Sequence, residues 1–113
     1  MNSEVTALLA AHESELRSLC QRCAVARLEL FGSAAGDAWQ PASSDLDFVV
    51  SFLASGQPGL ADRYLNLAQG LEDALRRPVD LVTEDSIRNP YFRQTVEATR
   101  HPVYAHRDAQ AAA

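Results

Sequence analysis

The sequence contains no lysine: all ten basic residues are arginine. It has two cysteines, one methionine and one tryptophan, and no apolar run approaching the roughly 20 residues that cross a bilayer. Each scarcity excludes something. Two cysteines supply only half of a zinc site. A net charge of −5 with no basic block suits nucleic acid poorly, because phosphate neutralisation supplies most of that affinity; no direct nucleic-acid partner is expected. The opening stretch, MNSEVTALLAAHESE, has no basic segment and interrupts its apolar residues with acids, so no leader is expected. The expected location is the cytoplasm, with no membrane partner. Exclusive use of arginine fits a GC-rich coding sequence, although guanidinium is also a bidentate donor to phosphate and carboxylate.

What is present is ordinary in bulk. At 113 residues and 47% hydrophobic content the chain reads as one soluble domain, taken as residues 1–108, with 109–113 as a frayed tail. A second domain for a substrate does not fit in this length, so a partner or the substrate must supply the remaining binding surface. A small acidic domain is also compatible with a homo-oligomer.

Along the chain, Val5, Leu8, Leu9, Leu16, Leu19, Cys20 and Cys23 recur at helical spacing, predicting one amphipathic helix from Glu4 to about Cys23 with Ser3 as N-cap. His12 falls on its apolar stripe, where a lone histidine is usually a hydrogen-bonded boundary residue. Cys20 and Cys23 form a C-x-x-C at the end of this helix. It is half a zinc site with no second half, and it closes a helix where a redox motif would open one, so core packing is the reading. VARLELF, from Val25 to Phe31, alternates as a strand. Gly32 stops it, SAAG forms a short helical turn, and DAWQPASS is loop. DLDFVVSF, from Asp45 to Phe52, is a second strand with Leu46, Phe48 and Val50 on one face. A helix follows from Leu60 to about Arg76, ended by Pro78. VDLV (Val79 to Val82) is a third strand, a last helix starts near Asn89 or Pro90, and PVYA is a terminal strand or arm. Whether the first two strands pair parallel or antiparallel is left open.

The chemistry gathers around LFGSAAGDAWQPASSDLDFVV. In a strand, residues i and i+2 share a face, so Asp45 and Asp47 project together while Leu46 and Phe48 enter the core. Two adjacent carboxylates repel, and a hard divalent cation removes the conflict; Mg²⁺ takes a few carboxylate oxygens, waters and substrate phosphates. Asp80 lies in the third strand, flanked by core residues. If that strand neighbours the second, three acids can hold up to two ions for in-line displacement at phosphorus, with Asp80 holding the second ion or taking the proton of an incoming hydroxyl. Gly32 lets backbone approach a phosphate closely, and the Ser33 hydroxyl can donate to it. The bland alternative is that a Gly after a strand is punctuation and inward acids discourage edge pairing. Each element alone is common; the set is specific. It outlines transfer from a nucleoside triphosphate.

LFGS, the loop, SDLDFVV and the later VDLV resemble the minimal nucleotidyltransferases of the DNA polymerase β superfamily, over about Leu28 to Val82 and, in size and helix order, over nearly the whole chain. The resemblance implies an α+β nucleotidyltransferase fold, a small mixed sheet flanked by helices on one side. It also implies Mg²⁺ dependence and ATP as donor. It maps Gly32 and Ser33 to phosphate binding, Asp45 and Asp47 to the metal, and Asp80 to the third carboxylate. Members of this size are often antitoxins to a helical HEPN ribonuclease toxin, and some transfer AMP to a tyrosine of that toxin. Many relatives carry Arg just after Gly-Ser; here Ala34, Ala35, Gly36 and Asp37 follow, leaving Arg76, Arg77, Arg88 or Arg93 as compensating cations. Two functions are therefore carried forward. One is Mg²⁺-dependent transfer of AMP to a hydroxyl on a protein partner. The other is a weak or inactive binding protein that neutralises its partner by occlusion. Trp39, Tyr91 and Phe92 are candidate partner contacts, core burial being the alternative for Phe92.

Overall fold

The computed structural model describes residues 3–35, 45–54 and 58–106. The elements are α1 (Ser3–Ala11), α2 (Glu13–Arg22), β1 (Val25–Phe31), a single 3-10 turn (Gly32–Ala35), β2 (Leu46–Phe52), α3 (Leu60–Leu75), β3 (Val79–Thr83), a second 3-10 turn (Glu84–Ser86), α4 (Pro90–Thr99) and β4 (His101–Ala105). The expected loop from Asp37 to Ser44, Trp39 included, and the expected tail at 109–113 lie outside the described residues. No helix among the described residues is long and apolar enough to cross a membrane.

One expectation is corrected at the N-terminus. The single helix predicted from Glu4 to Cys23 is two, broken at His12, whose φ of −113° and ψ of 18° leave the helical region. The His12 N–H bonds Leu9 at 3.3 Å, three residues back, and its carbonyl starts the next helix by accepting from Leu16 at 2.9 Å. Val5 on α1 and Leu16, Leu19 and Cys20 on α2 are all buried. The apolar stripe therefore runs across the break, and periodicity is blind to one turn residue. Ser3, expected as a cap, is the first residue of α1.

The strands pair in the order β3-β2-β1-β4, with β1 antiparallel to both β2 and β4 and β2 parallel to β3. A parallel neighbour needs a long crossover, and α3 is that crossover. It leaves its helical path at Arg76, which sits left-handed at φ 55° with its N–H bonded to the Glu72 carbonyl at 2.8 Å. The turn thus comes before Pro78. Glu72 Oε2 accepts from the Val79 N–H at 3.0 Å, tying the helix end to the start of β3, and the Tyr64 hydroxyl donates to the Leu81 carbonyl.

Alternation divides the sheet. Leu28 and Leu30 of β1, Leu46, Phe48 and Val50 of β2 and Leu81 of β3 form the main core with Val5, Leu16, Leu19, Cys20, Leu67, Leu71 and Leu75 from α1, α2 and α3. These three helices flank one face; the expectation of helices on one side holds for them and not for α4, which packs on the other. Cys20 and Cys23 are free and buried in that core; burial pushes the Cys20 thiol up to about 12, which makes it an inert packing residue. On the opposite face Phe31, Val49, Ile87 and Val96 form a smaller cluster with α4 above it. Asn89 caps α4, its Oδ1 accepting from the Tyr91 N–H at 2.8 Å and the Phe92 N–H at 3.2 Å, and Pro90 opens the helix where no N–H is missed.

Candidate active site

The acids occupy the α4 face. Parallel register sets Asp47 of β2 against Asp80 of β3, and antiparallel register sets Phe31 of β1 on the other side of Asp47. Asp47 and Asp80 are thus level with each other on adjacent strands, and Asp45 precedes Asp47 by two residues, just before β2 begins at Leu46 and not inside the strand as expected. Asp47 is half-buried, while Asp45 and Asp80 are exposed. Burial, then the repulsion of Asp80, then that of Asp45 push the Asp47 carboxyl up to about 6. A carboxylate so strained electrostatically is one that a cation would relieve.

Gly32 follows Phe31 directly and fits against Asp47. Its φ of +77° favours glycine, and a Cβ built there would stand 2.7 Å from Asp47 Oδ2. The glycine is required twice: by its backbone conformation and by the space it leaves for the carboxylate. Ser33 is partly exposed beside it, and Ala34 and Ala35 are buried. The Gly32 amide is already engaged, donating to Thr99 Oγ1 of α4 at 3.0 Å.

Gly32, Asp47 and Asp80 are brought together as anticipated. Asp45 lies close enough to act on Asp47, and Ser33 is next to Gly32. Among the described residues, no three His, Cys, Asp or Glu side chains converge into a metal cage. The donor set is nonetheless all hard oxygen, and the glycine leaves open the space a Cβ would fill beside Asp47. That chemistry fits Mg²⁺. Two open grooves, of about 880 Å³ between α2 and α3 and about 740 Å³ between α1, α2 and β4, are not lined by any of the three acids. Charge and register mark the candidate site; groove volume does not.

Of the arginines proposed to replace the missing loop cation, Arg93 is committed to the turn before α4. It donates to the Glu84 and Ile87 carbonyls, each at 3.1 Å. Arg76 is the left-handed residue that ends α3. Sequence reasoning missed Thr99 and Arg100. Arg100 joins Glu29 of β1 at 2.7 Å and Glu84 at 3.2 Å, and also pairs with Glu97. Nothing in the sequence flags a contact spanning 71 residues. Tyr91 is 80% exposed and Phe92 38%, the latter edge-on to Phe31 with ring centroids 5.7 Å apart, so Phe92 is neither fully buried nor free.

The structure thus sets a carboxylate pair level on parallel strands, abutted by a left-handed glycine. The nucleotidyltransferase domain model matches residues 12–101, and the chain belongs to that family. A protein of Methanocaldococcus jannaschii provisionally named a protein adenylyltransferase is 36% identical over 96 residues, 84% of this chain and 90% of that protein. A solved structure provisionally named a minimal nucleotidyltransferase superposes with a TM-score of 0.68 at 31% identity, over 90% of this chain and 96% of the other. A toxin–antitoxin structure with AMP-PNP superposes at 0.63 and 24% identity, over 88% and 78%. The complex of the tri-AMPylated Shewanella oneidensis HEPN toxin with its MNT antitoxin superposes at 0.59 and 21% identity, over 92% and 78%. The last two likenesses are of fold.

Proposed function

We propose that this chain transfers AMP from ATP to a hydroxyl on a protein partner, and that the partner is a HEPN-type toxin which the chain serves as antitoxin. The observation that carries the reading is Asp47: half-buried, level with Asp80, its carboxyl raised to about 6, and packed against a glycine that a side chain would displace. The adenylyltransferase name of the relative and the AMP-PNP and AMPylated toxin of the structural neighbours support the donor and the partner.

Asp45 and Asp47 would hold Mg²⁺; Asp80 would hold a second ion or, with one ion bound, take the acceptor's proton. When bound, the metal supplies neutralisation of the phosphate charge and polarisation of the phosphorus. The chain's own residues supply the rest. Ser33 donates to a phosphate oxygen and, with Gly32, sets the triphosphate beside Asp47. The acceptor's hydroxyl oxygen forms a bond to the α-phosphorus as the bond to the bridging oxygen breaks. Pyrophosphate leaves, and the hydroxyl proton passes to the exposed Asp80 carboxylate. Isothermal titration of the native chain with ATP in Mg²⁺, beside an Asp45→Asn/Asp47→Asn double variant, tests the site. Metal-dependent binding by the native chain and its loss in the variant are expected; equal binding by both overturns the assignment.

Burial of Ala34 and Ala35 where relatives carry a cation favours a second reading, neutralisation by occlusion with little turnover. An acidic surface suits a basic ribonuclease. A variant lacking all three acids that still neutralises its partner selects this reading over transfer.

A further inference from the structure

The Gly32 step is held from the far end of the chain. Its N–H donates to Thr99 Oγ1 at 3.0 Å, across 67 residues, and the same hydroxyl donates to the Thr95 carbonyl at 2.8 Å. The one hydroxyl proton is therefore committed within α4, and the oxygen can only accept from Gly32. This end of α4 is itself fixed. The Arg100 N–H bonds the Val96 carbonyl at 2.8 Å, its guanidinium bonds Glu29 at 2.7 Å, and β4 starts at the next residue, His101, paired with Leu30. Thr99 thus presents a fixed acceptor. At the other end of the bond stands a left-handed glycine whose missing Cβ would lie 2.7 Å from Asp47 Oδ2. A glycine can rotate more freely than any other residue, and this hydrogen bond removes that freedom where the carboxylate is closest.

We infer that Thr99 is a positioning residue of the transfer site. It sets the Gly32–Ser33 step against Asp47 and, by engaging the Gly32 amide, leaves the Ser33 amide and hydroxyl as the donors for the triphosphate. The inference rests on the transferase reading above and deepens it. Without the acceptor, the partly buried Gly32 N–H must turn to another partner, and the phosphate-binding step moves with it. Small displacements at such a step are costly: about 1 Å can lose on the order of a hundredfold in rate.

Thr99→Val keeps the shape and removes the acceptor, and Thr99→Ser restores it. Three readouts apply to both variants and to Asp47→Asn: amide hydrogen exchange at Gly32, ATP affinity in Mg²⁺ by titration, and the melting temperature. Thr99→Val is expected to speed Gly32 exchange and weaken ATP affinity, each by about tenfold, the loss of one hydrogen bond. Thr99→Ser is expected to return both to within about twofold. Unchanged ATP affinity in Thr99→Val, with binding lost in Asp47→Asn, overturns the positioning role and leaves the transferase reading standing. Equal weakening in both Thr99 variants, tracking a fall in melting temperature, also overturns it, because that is loss of fold. Equal ATP binding by the native chain and Asp47→Asn overturns the transferase reading, and the positioning role with it.

Discussion

The two faces of the sheet are built by alternate residues of the same strands, yet they are different materials. On the α1–α3 face, Leu28, Leu30, Leu46, Phe48 and Val50 are sealed among helix side chains, and among the described residues no polar or charged residue is fully buried. On the α4 face, one residue along in each case, lie Glu29, Phe31, Asp47 and Val49, with Asp80 and Val82 on β3. Among the described residues, the buried Phe31, Val49, Ile87 and Val96 hold that face together, assisted by the Arg100 ion pairs. The comparison teaches that a domain of this size concentrates its apolar burial on one face so that the other can carry mutually repelling charge. Charge kept half-buried without a partner is destabilising, so it is tolerated only where the fold is secured elsewhere.

The sharpest way to break the comparison is to change neighbours on β2. Phe48→Ala on the core face should cost about 3–5 kcal/mol of stability, read by urea unfolding. Asp47→Asn, one residue away, should leave stability unchanged or higher at neutral pH while lowering transfer by roughly 10²–10³-fold. Comparable destabilisation by both would mean that the faces are not divided as described. Next in size is Arg100→Met, which leaves Glu29 half-buried opposite no cation. It should cost about 2 kcal/mol, the range for hydrogen bonds to charged groups. A loss below about 0.5 kcal/mol would place these pairs with ordinary surface ion pairs.

Two glycines, one on each side of the sheet, test the same contrast more gently. Gly32→Ala meets both the left-handed backbone and the Asp47 carboxylate; it should cost about 1–2 kcal/mol and weaken ATP binding as Asp47 is forced aside. Gly70→Ala, on α3, would bring a Cβ within 2.5 Å of Leu19 Cδ1. Its gain in helix propensity offsets the repacking of Leu19, so a net change within about 1 kcal/mol and unaltered ATP binding are expected. A reversed order of the two stability losses would refute the tight fit at Gly32.

The smallest expected effect is in pH. The Asp47 carboxyl binds its proton more tightly when folded, at about 6 against an ordinary 3.8. Between these values the native state holds a proton that the unfolded chain has released, so this residue's contribution to stability is full below about 4 and is lost as pH rises through 6. Asp47→Asn should therefore gain on the native chain across that window and hold a constant margin above it. A cation competes with that proton, so Mg²⁺ binding to the native chain should weaken as pH drops below about 6. In the metal-free protein, Asp80→Asn should lower the Asp47 titration only part of the way, because burial, the larger cause, remains. A titration returned to the ordinary carboxylate range would make repulsion the main cause.

Much of this was legible in the chain. VARLELF and DLDFVV alternate, so their strands and inward faces could be read from a period of two, and Asn89-Pro90 marked the start of α4. Gly32, Asp45, Asp47 and Asp80 could be nominated only as a set, because acids beside core-bound strand residues run against local preference while a glycine after a strand is common. Less legible was His12, where an apolar stripe continues across a broken helix. The side on which α4 lies could not be read from Val96 and Phe92, since an amphipathic helix shows that it packs and not against what.

Most of the elements, the break at His12 excepted, and the residue types of the site were thus readable in the chain, because both depend on neighbours a few positions apart. Only the tertiary structure decided that Asp47 stands level with Asp80, that Gly32 makes room for its carboxylate, and that Thr99 and Arg100 secure the end of α4 beside it. These contacts join residues separated by tens of positions. They exist only once strand register, crossover and helix placement have been settled together by packing.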